Sequence, residues 1–85
     1  MRQLTVYVRQ GCHLCTDMTQ ELERLRQELC FEINTVDIER DPELVELYTT
    51  RVPVLVVDDV EICYYFLEET RLRQHFSSNA DYSPD

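Results

Sequence analysis

The pattern of apolar and polar positions in the first third of the chain changes from a strand-like to a helix-like spacing. Residues 4–8 form a short β-prone run that ends just before Gly11. Residues 13–29 then repeat apolar side chains at steps of three and four, which is the spacing of one helix face. That face consists of Leu14, Met18, Leu22, Leu25 and Leu29. The pattern predicts a first strand, a tight turn and a long amphipathic helix.

The next segment predicts a second strand and the start of a second helix. Residues 31–38 are β-prone, but their alternation slips between Ile33 and Val36. This slip indicates either a bulge or burial on both faces of the strand. Asp41 and Pro42 then favour a helix start, because an aspartate can cap the free N–H groups and a proline suits the first helical position.

The remaining pattern predicts a hairpin and a third helix. The second helix must end before Pro53, since the residue that precedes a proline avoids the helical region. Residues 54–57 are continuously apolar, as expected of a central strand that is covered on both faces. The pair at 58–59 fits a two-residue turn into a fourth strand at 60–65. Residues 67–76 have a weaker helical pattern.

The predicted order of elements is therefore β-α-β-α-β-β-α. The first β-α-β unit places two strands parallel with a right-handed crossover, and the final hairpin adds two antiparallel strands. This order predicts an α/β fold, with a four-stranded mixed sheet flanked by helices. We expect a single domain over residues 1–76 and a polar, frayed tail over residues 77–85.

Charge and composition exclude several classes of function. The 85-residue chain has 17 acidic and eight basic residues, for a formal net charge of −9. It shows no basic patch of the kind that nucleic-acid binding requires. Its single glycine excludes glycine-rich phosphate loops. No stretch is long and apolar enough for a membrane span, and Met1–Arg9 lacks the pattern of a signal peptide, so we expect a cytoplasmic protein.

The chemistry-bearing feature is the motif Cys12-His13-Leu14-Cys15, where the first strand gives way to the first helix. Unpaired N–H groups at a helix start favour negative charge, so a thiolate at Cys12 is stabilised there. Cys15 lies one helical turn later, close enough to resolve a mixed disulfide. The carboxylates of Asp17 and Glu21 oppose the effect on the Cys12 thiolate.

Other interpretations of the cysteines remain open at this stage. A structural zinc site commonly uses two closely spaced pairs of ligands, whereas Cys30 and Cys63 stand alone. We interpret both as core or half-buried thiols and predict no metal ligands. A metal or iron–sulfur module, and a protein-binding module that uses the aromatic residues at 64–66, are the alternatives to redox chemistry. We expect those aromatics to alternate between core and surface.

The chain resembles a glutaredoxin, within the thioredoxin superfamily. The resemblance covers residues 4 to about 76 and is carried by two segments, the opening at 6–15 and the Arg51-Val52-Pro53-Val54-Leu55 segment, which is similar to the family's Val-Pro motif before the third strand. It implies a thioredoxin-like (glutaredoxin-type) fold and a thiol–disulfide oxidoreductase. From the residues alone, Pro53 is a strand-start proline in trans.

The resemblance also implies roles for individual residues. Cys12 is the attacking thiolate and Cys15 the resolving thiol. Pro53 is cis and lies beside the active site, and the backbone of Val52 pairs with the substrate cysteine like a short added strand. Arg9 occupies the place of the basic residue that contacts a glutathione carboxylate.

The residues adjoining the two cysteines complete the candidate site. Gly11 supports the tight turn that presents the thiol, and His13 and Leu14 contact the substrate. The family pattern commonly has Pro-Tyr in place of His-Leu.

The chain departs from the family pattern after the fourth strand. Glutathione-using members have a Gly-Gly pair and then an acid there, whereas this chain has Tyr64, Tyr65 and Phe66. Two substrate classes therefore stay open: a glutathione mixed disulfide, with glutathione as co-substrate, and a protein disulfide. We expect no tightly bound cofactor, a reductant that is either glutathione or a reductase, no nucleic-acid or membrane partner, and a monomer.

Overall fold

The computed structural model describes residues 2–82, and their side chains over residues 2–77. The order of elements is the one that the sequence predicts. The elements are β1 (Arg2–Val8), α1 (His13–Leu29), β2 (Phe31–Asp37), a short 3-10 helix (Ile38–Arg40), α2 (Pro42–Tyr48), β3 (Val54–Val57), β4 (Val60–Tyr64) and α3 (Glu69–Tyr82).

The four strands form one mixed sheet in the order β2-β1-β3-β4. β1 runs parallel to β2 and antiparallel to β3, and β3 runs antiparallel to β4. Tyr7, near the end of β1, lies opposite Val54, the first residue of β3. The turn that follows β1 and the Val52–Pro53 segment that precedes β3 therefore lie at the same end of the sheet.

The inner face of α1 packs on the sheet and forms much of the core. Its buried residues are Cys15, Met18, Leu22 and Leu25. The predicted face is thus correct in its centre and shifted at its ends, because Leu14 and Leu29 are only half-buried. At the N-terminal end, Cys15 takes the innermost position, which turns Leu14 toward the side of the helix.

The slip in the alternation of β2 is not a bulge. β2 pairs with β1 in continuous register along its whole length. Ile33 and Val36 are three positions apart, so they lie on opposite faces of the strand, and each is half-buried. The irregularity of the sheet lies instead between Leu55 and Val56, where β4 contributes one extra residue. β2 ends at Asp37, one residue before its predicted end, because Ile38 begins the 3-10 helix.

The predicted two-residue turn between β3 and β4 is confirmed. Asp58 and Asp59 have φ angles of 54° and 65°. Two successive positive φ angles are typical of the type I′ turn, whose twist matches that of the strands it joins. Asparagine, aspartate and glycine tolerate this conformation best.

The last helix differs from its prediction at both ends. It begins at Glu69, two residues later than predicted, and continues to Tyr82, into the segment predicted to be frayed. Polar residues such as serine and asparagine cost only about 0.7 kcal/mol or less each in a helix, so they do not end one by themselves. The division into a domain over 1–76 and a tail over 77–85 stays a prediction, and residues 83–85 lie outside the described residues.

Two expectations about burial are wrong. Tyr64, Tyr65 and Phe66 do not alternate between core and surface, because all three are exposed. β4 ends at Tyr64, and Tyr65 turns the chain with a φ of 66°, so the alternation of a strand no longer applies. Cys30 is exposed, because it ends α1 in the left-handed conformation (φ 59°). Cys63 is buried, as predicted.

Candidate functional site

Cys12 and Cys15 form a disulfide at the start of α1. Cys12 is the N-cap residue, and its Sγ accepts a hydrogen bond from the backbone N–H of Cys15 at 3.1 Å. The two Cα atoms are 5.2 Å apart, a normal separation for a disulfide. Cys12 is half-buried, whereas the side chain of Cys15 belongs to the core. The outer sulfur is therefore the one that a substrate can reach.

Gly11 shapes the turn that delivers Cys12 to the helix start. Its φ of +76° is a conformation that side chains with a Cβ rarely adopt. Apart from Gly11 and its two chain neighbours, no described heavy atom lies within 4 Å of the position that a Cβ would take. Glycine is therefore needed here for its backbone freedom and not for space.

The electrostatics at the start of α1 favour a negative charge on Cys12. No acidic residue lies in the first turn of α1. The unpaired N–H groups of that turn and the helix dipole stabilise an anion at the N-cap. Asp17, the nearest acid along the helix, lies beyond the first turn.

A groove of about 500 Å³ opens beside the disulfide. We call it the disulfide groove; its lining includes Arg9, Gly11, Cys12, His13, Thr16 and Thr35. Among the described residues that line it, none is acidic, although the chain as a whole is strongly acidic. The structure thus brings together five of the predicted site residues around one opening, because Cys15 also lines the groove.

Arg9 already has two partners at the edge of this groove. Its Nε donates to a carboxylate oxygen of Glu39 at 3.0 Å, and its Nη1 donates to Oγ1 of Thr49 at 2.8 Å. The guanidinium thereby joins the end of β1 to the 3-10 helix and to the end of α2. A ligand carboxylate at Arg9 would have to compete with Glu39.

The Val52–Pro53 peptide bond is cis, as the resemblance implies. Pro53 is buried and Val52 is half-buried. Neither residue lines the disulfide groove, and their position relative to the cysteines follows from the sheet register described above.

Tyr65 is hydrogen-bonded to the backbone around the Val52–Pro53 segment. The sequence did not identify it as a site residue. Its backbone N–H donates to the carbonyl oxygen of Pro53 at 2.9 Å, and its hydroxyl donates to the carbonyl oxygen of Thr50. Both partners are more than ten residues away, and no local pattern reveals such contacts. The loop after β4 is thus bonded directly to the segment around the cis-proline.

Arg51, which directly precedes the Val52–Pro53 segment, contacts both β4 and the end of α2. Its Nη1 donates to Glu61 on β4 at 2.7 Å, and its Nη2 donates to the carbonyl oxygen of Leu47 at 3.3 Å. The guanidinium also lies over the rings of Tyr48 and Tyr64, at 5.5 and 5.7 Å from their centres.

Leu14 faces away from the disulfide groove, toward a second groove along α1. We call this one the helix groove; its lining includes Leu14, Asp17, Met18, Glu21, Phe66 and Leu67. The two middle residues of the motif are therefore separated, with His13 on one side and Leu14 on the other.

The remaining cysteines lie apart from the motif. Burial raises the pKa of the Cys63 thiol in β4. Cys30 lies at the opposite end of α1 from Cys12 and Cys15.

Within residues 2–82, no three histidine, cysteine or acidic side chains come together in a group that could hold a metal ion. In the same part of the chain, no helix has the length and apolar character needed to cross a bilayer.

Comparison with known proteins gives one family and a set of related folds. The family model of the glutaredoxin-like domain (DUF836) matches residues 3–77. The uncharacterized protein Rv0508 of Mycobacterium tuberculosis is 30% identical over 96% of this chain and 90% of its own length. The solution structure of protein Ne2328 from Nitrosomonas europaea is 41% identical, with a TM-score of 0.80 over 87% of this chain and 89% of that one.

The thioredoxin-like fold is shown by a more distant likeness. The structure of Fasciola hepatica thioredoxin is 24% identical and has a TM-score of 0.58, covering 89% of this chain and 78% of that one. At this level of identity the likeness concerns the fold alone. The predicted fold class is thereby confirmed.

Proposed function

Because the chain belongs to the glutaredoxin-like domain (DUF836) family, we propose that it is a thiol–disulfide oxidoreductase that acts through Cys12 and Cys15. The observation that carries the proposal is the position of Cys12 at the N-cap of α1, bonded to Cys15 one turn inside the helix. This arrangement supplies a stabilised, accessible thiolate and a protected second thiol.

The first step is a thiolate attack on a substrate disulfide. In the reduced protein, the Cys12 thiolate attacks one sulfur of the substrate, a new bond forms between that sulfur and Cys12, and the substrate S–S bond breaks. The other substrate sulfur leaves as a thiolate and takes a proton from solvent. The helix N-terminus favours this step because it raises the fraction of Cys12 that is ionised at neutral pH.

The second step releases the substrate and oxidises the protein. Cys15 loses its proton and attacks the Sγ of Cys12, which forms the Cys12–Cys15 disulfide and expels the second substrate thiolate. Two electrons have then passed from the protein dithiol to the substrate. A reductant, either glutathione or the dithiol of a reductase, restores the reduced protein by the same exchange in reverse.

We propose that the substrate lies between the disulfide and the Val52–Pro53 segment. The backbone of Val52 would pair with the substrate chain as an added strand. Tyr65 and its two hydrogen bonds fill the region where glutathione-using relatives have a Gly-Gly pair, which supports a protein disulfide as the substrate over glutathione. We place the reaction in the cytoplasm, where reducing conditions keep Cys30 and Cys63 as free thiols.

Titration of the protein in defined redox buffers tests the cycle. We expect Cys12 and Cys15 to form an intramolecular disulfide with a two-electron midpoint, while Cys30 and Cys63 stay reduced. Thiol alkylation followed by mass spectrometry measures each cysteine separately. If Cys12 and Cys15 remain thiols at every potential within the range of biological disulfide couples, the proposal fails.

A trapping experiment tests the order of the two steps. We expect Cys15→Ser to accumulate a mixed disulfide on Cys12 with a disulfide substrate, and Cys12→Ser to accumulate none. Cys30→Ser is the matched control, since it removes an exposed thiol from the other end of α1 and should leave turnover unchanged. Trapping on Cys15 in the Cys12→Ser protein would reverse the two roles.

A further inference from the structure

The helix groove begins within the redox motif and follows α1 away from it. Leu14 lies between the two cysteines and forms one end of the groove. Asp17 and Glu21 follow on the same side of the helix, at spacings of three and four residues. The loop after β4 forms the opposite wall through Phe66 and Leu67. The groove therefore combines an apolar end at the motif with an acidic end farther along α1.

The apolar end exposes two neighbouring aromatic side chains. Phe66 is 65% exposed, and the neighbouring Tyr65 is 40% exposed. Large exposed aromatic side chains that adjoin one another are typical of interaction surfaces, because burying them against a partner is strongly favourable. Leu14 is half-buried and extends this surface to the motif.

The acidic end has two carboxylates that form no ion pair with the described residues. Neither Asp17 nor Glu21 forms an ion pair with a basic side chain of residues 2–77. Arg24, the one base among the described residues that line the groove, is already paired with Glu69 at 3.6 Å. Two carboxylates one turn apart repel one another, so a cation bound between them would relieve this repulsion.

We propose that the helix groove docks an extended segment of the substrate protein, in which an apolar side chain is followed by a lysine or arginine. The apolar side chain packs between Leu14 and Phe66, and the basic side chain reaches Asp17 and Glu21. This inference rests on the proposed function and names the substrate class that the same site selects.

The dimensions of the helix set the spacing of the two side chains. At a rise of about 1.5 Å per residue, Asp17 and Glu21 lie roughly 4.5 and 10.5 Å beyond Leu14 along the axis of α1. An extended chain advances about 3.3 Å per residue. The basic residue therefore lies about two or three positions from the apolar one.

Two model substrates test the charge selection. Both are peptides of equal length with one cysteine, disulfide-bonded to a small neutral thiol; one has Leu-x-x-Lys beside the cysteine and the other Leu-x-x-Gln. With a small dithiol as reductant, we expect kcat/KM to be about five- to tenfold higher for the lysine peptide at low salt, and the ratio to fall as salt is added.

The Asp17→Asn/Glu21→Gln variant should abolish this preference by lowering kcat/KM mainly for the lysine peptide. The control is Glu32→Gln/Glu46→Gln, which makes the same change in net charge at two exposed acids outside the groove and should keep the preference. An equal change for both peptides in the groove variant would overturn the proposal, since it would show that the carboxylates act through the Cys12 thiolate. A wild-type protein without any preference would overturn it too.

A Phe66→Ser variant tests the apolar end. We expect kcat/KM to fall several-fold for both peptides, while reduction of a small neutral disulfide without a peptide is maintained. Unchanged rates with the peptides would overturn the apolar half of the proposal. If the wild-type protein cannot reduce even the small disulfide, the proposed function itself fails; if it reduces that disulfide without selecting between peptides, only the docking proposal fails.

Discussion

Gly11 shows how a single backbone angle supports the candidate site. Its φ is positive, and the space around a Cβ at this position is open, so substitution costs only the energy of the left-handed conformation. We expect Gly11→Ala to lower the free energy of unfolding by about 1–2 kcal/mol. Denaturant unfolding of the oxidised protein measures this change.

Gly11→Asn is the control for that prediction, because asparagine tolerates the left-handed conformation better than alanine. Its loss of stability should be clearly smaller. Equal losses for the two variants would show that a hidden steric contact, and not the backbone angle, makes glycine necessary.

The chemistry at residue scale was predictable where it depends on neighbours in sequence. Gly11, Cys12 and Cys15 lie where the strand-like pattern changes to the helical one, so the local sequence places them at a helix start. The contacts of Arg9 and Tyr65 were not predictable, because each joins residues at least 12 positions apart. Such pairs depend on how the sheet and loops assemble, which no local pattern encodes.

At the scale of elements, α3 is attached to the rest of the fold by two kinds of contact. Leu72 is fully buried in the core. Arg73, the next residue, binds Glu28 on α1 at 2.8 Å and Glu69 on its own helix at 2.9 Å. The Arg73 guanidinium holds the pKa of Glu28 below its usual value. Burial and exposed ion pairs differ greatly in energy, so the two contacts can be separated by experiment.

We expect Leu72→Ala to lower the free energy of unfolding by about 2–5 kcal/mol, as is usual when a buried leucine leaves a cavity. Arg73→Met, which keeps much of the aliphatic length, should cost far less, because its ion pairs are exposed to solvent, and added salt should reduce that cost. Urea unfolding at low and high salt measures both. A larger loss for Arg73→Met than for Leu72→Ala would contradict this ranking.

The strength of the local apolar pattern decides which elements were predictable. The apolar side chains of α1 repeat over four turns, so its bounds and most of its buried face follow from sequence. The weaker pattern of 67–76 gives no clear end, because the polar residues that follow neither favour nor strongly oppose a helix. The position of the β3–β4 bulge could not be predicted, because it depends on the pairing of the two strands and not on either strand alone.

For the whole molecule, buried groups with raised pKa values predict a loss of stability at alkaline pH. Burial raises the pKa of the Cys63 thiol and that of the Tyr48 hydroxyl. Above about pH 8.5 the unfolded chain releases the thiol proton that the folded protein retains. Stability from Cys63 is therefore complete below that pH and declines as the pH rises toward the folded pKa.

We expect the free energy of unfolding to fall with a slope of at most about 1.4 kcal/mol per pH unit for each such group. Urea unfolding between pH 7 and 10 measures the slope, with Cys12 and Cys15 kept as the disulfide so that they do not titrate. Cys63→Ala should flatten the slope between pH 8 and 10. An unchanged slope in that variant would show that the Cys63 thiol does not contribute.

The position of β1 in the sheet has a consequence for how the chain is made. β1 is synthesised before the other three strands of this sheet, yet it lies in the interior, with β2 on one side and β3 on the other. Its parallel partner arrives soon after the helix that joins them, but its antiparallel partner arrives only at residues 54–57. A nascent chain that stops before β3 therefore exposes an unpaired edge on the strand that leads to Cys12 and Cys15. During translation, Tyr7, which precedes the turn to Cys12, gains its partner Val54 only after residues 54–57 have been added.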